Sequence, residues 1–371
     1  VKILLKANWI VTPETEAIKE GYVVVKNGKI DGYYKKKPEG NFHKVITLKG
    51  ILYPPFVNAH THLELSNLDF NPDRFSSFFD WLLWIIGKRQ SFSISDIEKA
   101  VIKGLKESES YGVGYVGDIS SFGISRKFIK RGLTFLEIIG KDTDVSSLPP
   151  PLSIHAVYSV SFKLIEEIAR DAKERGYKFQ IHLGETQEES SFVRCKENKF
   201  ESLVYPFLGR KRYEYICSEN LVSYLKRAGA LGENLIAVHC TNLSKKELDS
   251  LMEADCSIVL CPRSNIHLKT GFPDVQHLSE YEKVGIGTDG LSTNLSLSVI
   301  SEIRTIYYRL EGAIPIRKLL RMATYGGAKA LGIKEYSQKA SFTLCEVEEE
   351  IKDPFTILLK DSLSFKFLDF K

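Results

Sequence analysis

From Ile51 onward the chain alternates short, nearly continuous apolar runs with amphipathic stretches, and this limits the folds open to it. The runs fall at residues 52–60, 114–119, 133–139, 152–157, 178–182, 235–239, 257–261 and 284–287. Runs that are apolar throughout read as strands covered on both faces, a property of parallel sheets flanked by helices. The stretches between them carry helical signals. Residues 95–111 open with Ser95-x-x-Glu98, a capping-box pattern, and 161–175 end at Gly176, as a C-capped helix would. A further helix is predicted over 244–254. Eight strands with helical crossovers predict an α/β fold, a (β/α)8 TIM barrel; a doubly wound open sheet is the alternative. The barrel is preferred because the chemically useful residues fall at the C-terminal ends of several strands.

The flanks read differently. Short strands are expected at 2–5, 9–11, 22–26 and 29–34, with Asn27-Gly28 as a hairpin turn. Strand-like pieces recur at 342–347 and 364–368, after a helix over 316–331. We therefore expect residues 1–50 and 336–371 to form one small discontinuous β-sandwich-like domain around a catalytic barrel of residues 51–335.

Composition excludes several functions. The net charge is +4 over 371 residues, without a basic run, so no nucleic-acid partner is expected. The apolar segment 81–86 is cut by Gly87-Lys88-Arg89, well short of a membrane span. No signal-peptide pattern opens the sequence, so the expected location is cytoplasmic. The six cysteines include no Cys-x-x-Cys pair and read as buried or incidental thiols in a reducing compartment. Two methionines with abundant Lys and Glu hint at a thermophile.

His60 and His62 lie two apart at the end of the first run and point to one side of an extended strand. His155, His182 and His239 end or nearly end later runs, and Asp289 follows the last. His43, His267 and His277 sit in polar contexts and read as surface residues. Three imidazoles and a carboxylate at one rim suit a divalent ion, Zn²⁺ or Fe²⁺, with a position open for water. Such an ion lowers the pKa of bound water to roughly 7. Glu185, three residues past His182, is placed to move protons. Cys240 and Cys261 read as small buried fillers.

These motifs resemble the amidohydrolase superfamily. Val57-Asn58-Ala59-His60-Thr61-His62 is similar to its first-strand motif, and His182-Leu183-Gly184-Glu185 to the His-x-x-Glu motif of its aminohydrolase branch. His239-Cys240, Cys261-Pro262-Arg263-Ser264-Asn265 and Gly287-Thr288-Asp289 follow in order. The resemblance implies one metal held by His60, His62, His182 and Asp289, with Glu185, His239 and Asp289 catalytic. The fourth strand carries His155 and no bridging lysine, which favours a single ion. His155 matches a substrate-contacting position; a core histidine satisfied by backbone is the alternative.

Further segments resemble the aminofutalosine deaminase group: His62-Leu63-Glu64-Leu65-Ser66, the aromatic run from Phe78 to Trp84 leading to Arg89, the run from Glu185 to Phe192, and Leu291-Ser292-Thr293-Asn294. This implies deamination of 6-amino-6-deoxyfutalosine, with Arg89 or Arg263 for the substrate carboxylate, Trp81 and Trp84 as walls, and Glu64 and Ser292 as contacts. An ordinary amphipathic helix burying both tryptophans is the alternative, and Glu64 could equally cap the next segment. Deaminases of methylthioadenosine, S-adenosylhomocysteine or adenosine, a triazine chlorohydrolase, and a non-enzymatic barrel are the rival readings. Val157 and Gly290 depart from the usual Pro and Ser, and residues 336–342 lack the usual Gly-rich turn. The partner is a small nucleoside; nothing forbids a homodimer.

Overall fold

The computed structural model describes residues Val1–Lys371. Eight parallel strands form the barrel: β5 (Phe56–Thr61), β6 (Val113–Ser120), β7 (Gly132–Ile138), β8 (Leu152–Ala156), β9 (Phe179–Leu183), β10 (Leu235–His239), β11 (Ser257–Leu260) and β12 (Val284–Ile286), each paired with the next. Every residue of β5, β6, β9, β10, β11 and β12 is buried, as strands sandwiched between a barrel interior and a helical coat must be.

The barrel closes between β12 and β5 through irregular contacts. Thr288 N–H donates to Asn58 Oδ1 (3.0 Å), and Asp289 N–H donates to the His60 carbonyl (3.1 Å). Only glycine fits at Gly287, because a Cβ there would lie 2.8 Å from both the Cβ and the carbonyl oxygen of His60. This close approach brings the ends of the first and last strands together. The outward residues Val57 and Ala59 pack under Ala328, Ala330 and Leu331 of the last helix, leaving Asn58 and His60 facing inward.

The flanking segments form one mixed six-stranded sheet of β1 (Lys2–Val11), β2 (Ala17–Lys26), β3 (Lys29–Tyr34), β4 (Lys44–Tyr53), β13 (Ser341–Glu346) and β14 (Ser364–Asp369), in the order β14-β13-β4-β1-β2-β3. The expected strand at 52–60 is two strands. Pro54 and Pro55 have no N–H for a ladder, so β4 ends at Tyr53 in the small sheet and β5 begins at Phe56 in the barrel. Thr343 Oγ1 ties the two sheets by donating to the Gly112 carbonyl and accepting from Phe56 N–H.

Two helices matter for the site, α1 (Phe78–Arg89) and α2 (Ile94–Ser110). The cap of α2 is Ser93 with Asp96, two residues before the expected Ser95–Glu98 pair. Both pairs have the capping spacing, and the earlier one buries Ile97, Ala100, Val101 and Gly104 on one face. The cysteine expectation is corrected. Cys195 and Cys217 form a disulfide, while Cys240, Cys256, Cys261 and Cys345 are buried free thiols. No helix is long and apolar enough to cross a membrane.

Candidate metal and active site

Period-two geometry builds the floor of the site. His60 and Asn58 face inward from β5, and His182 and Gln180 face inward from β9. Gln180 sits one layer below the histidines, where its Oε1 accepts from His60 Nδ1 (2.7 Å) while its amide donates to the Ala59 carbonyl (3.2 Å). The second bond fixes which end of the amide meets the ring. His182 Nδ1 donates to the His155 carbonyl (2.6 Å). Each ring's proton is therefore on Nδ1, and each Nε2 presents a bare lone pair to the interior.

Those lone pairs converge. His62 Nε2 lies 3.3 Å from His182 Nε2 and 3.4 Å from Asp289 Oδ1; His60 Nε2 lies 3.7 Å from the same oxygen. Donors about 2.1 Å from a common tetrahedral centre stand roughly 3.4 Å apart, so the four fit a single ion of the Zn²⁺ class. His60 Nε2 is fully buried and has no hydrogen-bond partner. A buried lone pair facing other lone pairs and a carboxylate is costly unless a cation satisfies them. Burial pushes the His60 ring down to about 4 and His62 well below its ordinary value. Burial raises Asp289, but His62, His239 and His60 outweigh it and hold the carboxyl well below the usual range. Neutral rings with an ionised carboxylate are the protonation states a metal needs.

Asp289 is locked in place. Ser264 Oγ donates to its Oδ2 (2.7 Å) and Gly290 N–H to its Oδ1 (3.0 Å). Its φ of 57° and that of His239, 73°, lie in the left-handed region. Such backbone costs about 1–3 kcal/mol per residue and clusters at functional sites.

Glu185 is positioned by a helix cap. Gly184, at φ 61°, turns the chain off β9, and Thr186 caps the short helix 187–193. Buried Glu189 accepts from Gly184 N–H (2.9 Å) and Thr186 N–H (3.0 Å), gripping the backbone on both sides of Glu185. The Glu185 carboxyl lies 3.8 Å from His239 Nε2. Burial raises its pKa well above the ordinary range, and Asp289 and Glu189 add to the effect. His239 differs from the other rings. Asn265 donates its amide N–H to His239 Nδ1 (3.3 Å), which places that ring's proton on Nε2, facing Glu185. It offers a donor where His60 and His182 offer lone pairs.

A cavity of about 280 Å³ opens above this floor, lined by His62, His155, His182, Glu185, His239 and Asp289 below and by apolar side chains above. His155, Arg89 and Ser292 reach it. His155 is held by Ser159 Oγ (2.7 Å), and burial lowers its pKa to about 4. Arg89 is committed to buried Glu137 (2.9 Å) and to Ser121. Three expectations are corrected. Trp84 lies outside the cavity against Phe75; Trp81, three residues earlier on α1, lines it with its indole N–H on the Ser292 carbonyl (2.7 Å). Glu64 does not reach the cavity and binds Ser120 and Ser121 N–H (2.9 Å). Arg263 is also outside, bonded to Ser296 (3.0 Å) and 3.7 Å from Glu302. Of the three histidines read as surface residues, His267 is half-buried on the Thr293 carbonyl (2.9 Å), and His277 pairs with Asp249 (2.7 Å). Gln180, Glu189 and Asn265 were missed. Each carried a signal: Gln180 is a polar residue inside an apolar run on the same face as His182, Thr186-x-x-Glu189 has capping-box spacing, and Asn265 ends the Cys261–Asn265 motif.

Known proteins bear on this geometry. Residues 129–345 match the amidohydrolase family. The 5-methylthioadenosine/S-adenosylhomocysteine deaminase of Clostridium tetani is 25% identical over 366 residues, covering 89% of this chain and 80% of its own. The fold is that of Helicobacter pylori aminofutalosine deaminase in complex with methylthio-coformycin (TM-score 0.80, 24% identity, covering 96% of this chain and 95% of that one). It is also that of a Xanthomonas campestris adenosine deaminase with bound zinc (TM-score 0.77, 22% identity, covering 96% and 88%). The chain is an aminohydrolase and belongs to the amidohydrolase family.

Proposed function

We propose that the protein deaminates 6-amino-6-deoxyfutalosine to futalosine and ammonia in menaquinone synthesis, within the broader activity of metal-dependent deamination of an adenosine-like nucleoside. The observation that carries the chemistry is the convergence of the His60, His62 and His182 Nε2 atoms on Asp289, with the buried Glu185 carboxyl, its pKa raised, beside them. His60, His62, His182 and Asp289 would hold the ion, which when bound supplies Lewis acidity and a water of near-neutral pKa.

The chain's own groups do the rest. Glu185 gives its proton to the ring nitrogen beside the amino-bearing carbon, making that carbon electrophilic. Asp289 and His239 Nε2–H orient the attacking water from the other side, and Asp289 accepts its proton. Glu185, now ionised, takes the proton of the newly added hydroxyl and passes it to the amine, which leaves as ammonia as the carbonyl forms; the proton held by Asp289 then returns to Glu185. The hydrophobic wall around Trp81 excludes bulk water and stacks the base. Support for the finer substrate comes from the aromatic and Ser292 segments, whose Trp81 and Ser292 line the cavity, and from the fold shared with the Helicobacter pylori enzyme. The nucleosides named for the curated relatives are the second reading, favoured by the Clostridium tetani protein. Ammonia release from metal-loaded enzyme given aminodeoxyfutalosine, adenosine, methylthioadenosine, S-adenosylhomocysteine and guanine tests the proposal. A strong preference for aminodeoxyfutalosine is expected; turnover of the other nucleosides with none of that one would overturn it.

A further inference from the structure

The disulfide stands at the base of a loop that walls the catalytic cavity. Cys195 follows the helix 187–193, and Cys217 ends a loop that returns to the same point. There Ser218 N–H donates to the Val193 carbonyl (2.7 Å), and Arg194 Nε donates to the Glu219 carbonyl (2.7 Å). Within the loop, Val204, Tyr205, Leu208 and Tyr213 line the cavity, and Phe200 stacks on Tyr158 with ring centroids 3.7 Å apart. Residues 208–220 belong to no helix or strand, so the half nearest Cys217 has little local structure of its own. Its other anchors are reversible: Arg212 pairs with Glu201 (3.3 Å), and Glu214 accepts from Phe162 N–H (2.8 Å). The cysteines also differ in access. Cys217 is exposed and Cys195 half-buried, whereas the remaining four are buried, so a soluble thiol meets this pair first.

We infer that the Cys195–Cys217 bond is a redox clasp on the cavity wall, so that affinity for the nucleoside follows the surrounding thiol–disulfide balance; this rests on the nucleoside deaminase reading. An external thiolate attacks the exposed Cys217 sulfur, the S–S bond breaks, and Cys195 leaves as a thiolate that takes up a proton. A second thiol then attacks the mixed disulfide and frees Cys217. The protein gains two electrons and two protons, and the two external thiols become one disulfide. Released at Cys217, the wall samples open positions, and a substrate has to order it before it binds fully. A wall closed about one-fifth of the time raises the apparent dissociation constant about fivefold. The floor is spared. The candidate metal ligands stand at the ends of β5, β9 and β12, and Glu189 grips the backbone around Glu185, all outside the loop.

The test reduces metal-loaded enzyme with tris(2-carboxyethyl)phosphine, removes the phosphine and confirms the metal content. Ammonia release from aminodeoxyfutalosine and methylthioadenosine is then compared with that of the oxidised enzyme. Reduction is expected to free two alkylatable thiols, to raise KM about fivefold with kcat within about twofold, and to speed amide hydrogen exchange across residues 196–216. Reoxidation should reverse all three changes. Cys195→Ser with Cys217→Ser should match the reduced enzyme and ignore the phosphine. A bond that resists reduction in the folded enzyme, an unchanged KM once it is reduced, or a phosphine response in the double variant would overturn the clasp while leaving the deaminase reading intact. No turnover of any nucleoside by either form would overturn the deaminase reading and, with it, the link to nucleoside affinity.

Discussion

Gln180→Leu separates a tuned metal site from a mere cluster of histidines. Leucine is close in size and apolar, so the β9 packing survives while the only partner of His60 Nδ1 disappears. The fully buried His60 then has two poor choices. Keeping its proton on Nδ1 leaves an unsatisfied buried N–H, at about 1–3 kcal/mol. Moving the proton to Nε2 satisfies nothing and removes a metal lone pair. Either way the cost falls on binding, and loss of such an outer partner lowers metal affinity about 10–100-fold, or roughly 1.4–2.8 kcal/mol. Zn²⁺ affinity would be read by competition with a chromophoric chelator at neutral pH. Affinity within twofold of wild type would refute the claim that Gln180 sets the His60 tautomer.

Other substitutions probe separate parts of the account. Glu185→Gln should retain stoichiometric metal while ammonia release falls about 10²–10⁴-fold, and near-normal turnover would remove Glu185 from the proton path. Cys217→Ser opens a cross-link over 22 residues of sequence and should cost about 3 kcal/mol in denaturant melts. It should also raise KM more than it lowers kcat, because the enclosed segment supplies Val204, Tyr205, Leu208, Arg210 and Lys211 to the cavity. Burial pushes Glu302 from an ordinary 4.5 up to about 7, against the pull of Arg263. A folded pKa above the unfolded one means stability is fully present below about pH 4.5 and declines as pH rises through about 7. Glu302→Gln should remove that decline, and identical pH profiles by urea denaturation would contradict it.

The candidate ligands His60, His62, His182 and Asp289 were legible as a group because they stand at or just past the ends of apolar runs, and a barrel gathers strand ends onto one rim. Glu185 was legible by its spacing from His182. What fixes these groups was not: Gln180 meets His60 across 120 residues of sequence and Asn265 meets His239 across 26, and no local pattern announces either pairing. The choice between Trp81 and Trp84 depended on helix rotation, since 300° separates residues three apart and both belong to an apolar segment. The disulfide was illegible because its cysteines lie 22 apart in a loop without a spacing motif. Pro54-Pro55 was in plain view, and weighing it against the apolar run would have separated β4 from β5.

The central claim is that His60, His62, His182 and Asp289 hold one ion on which deamination depends. The most direct measurement titrates chelator-stripped protein with Zn²⁺ while following ammonia release from methylthioadenosine and aminodeoxyfutalosine. The account expects no release from the stripped protein, then a linear rise that breaks at one equivalent per chain, and neither binding nor release in His182→Ala. Full activity without metal, or a break at two equivalents, would contradict it.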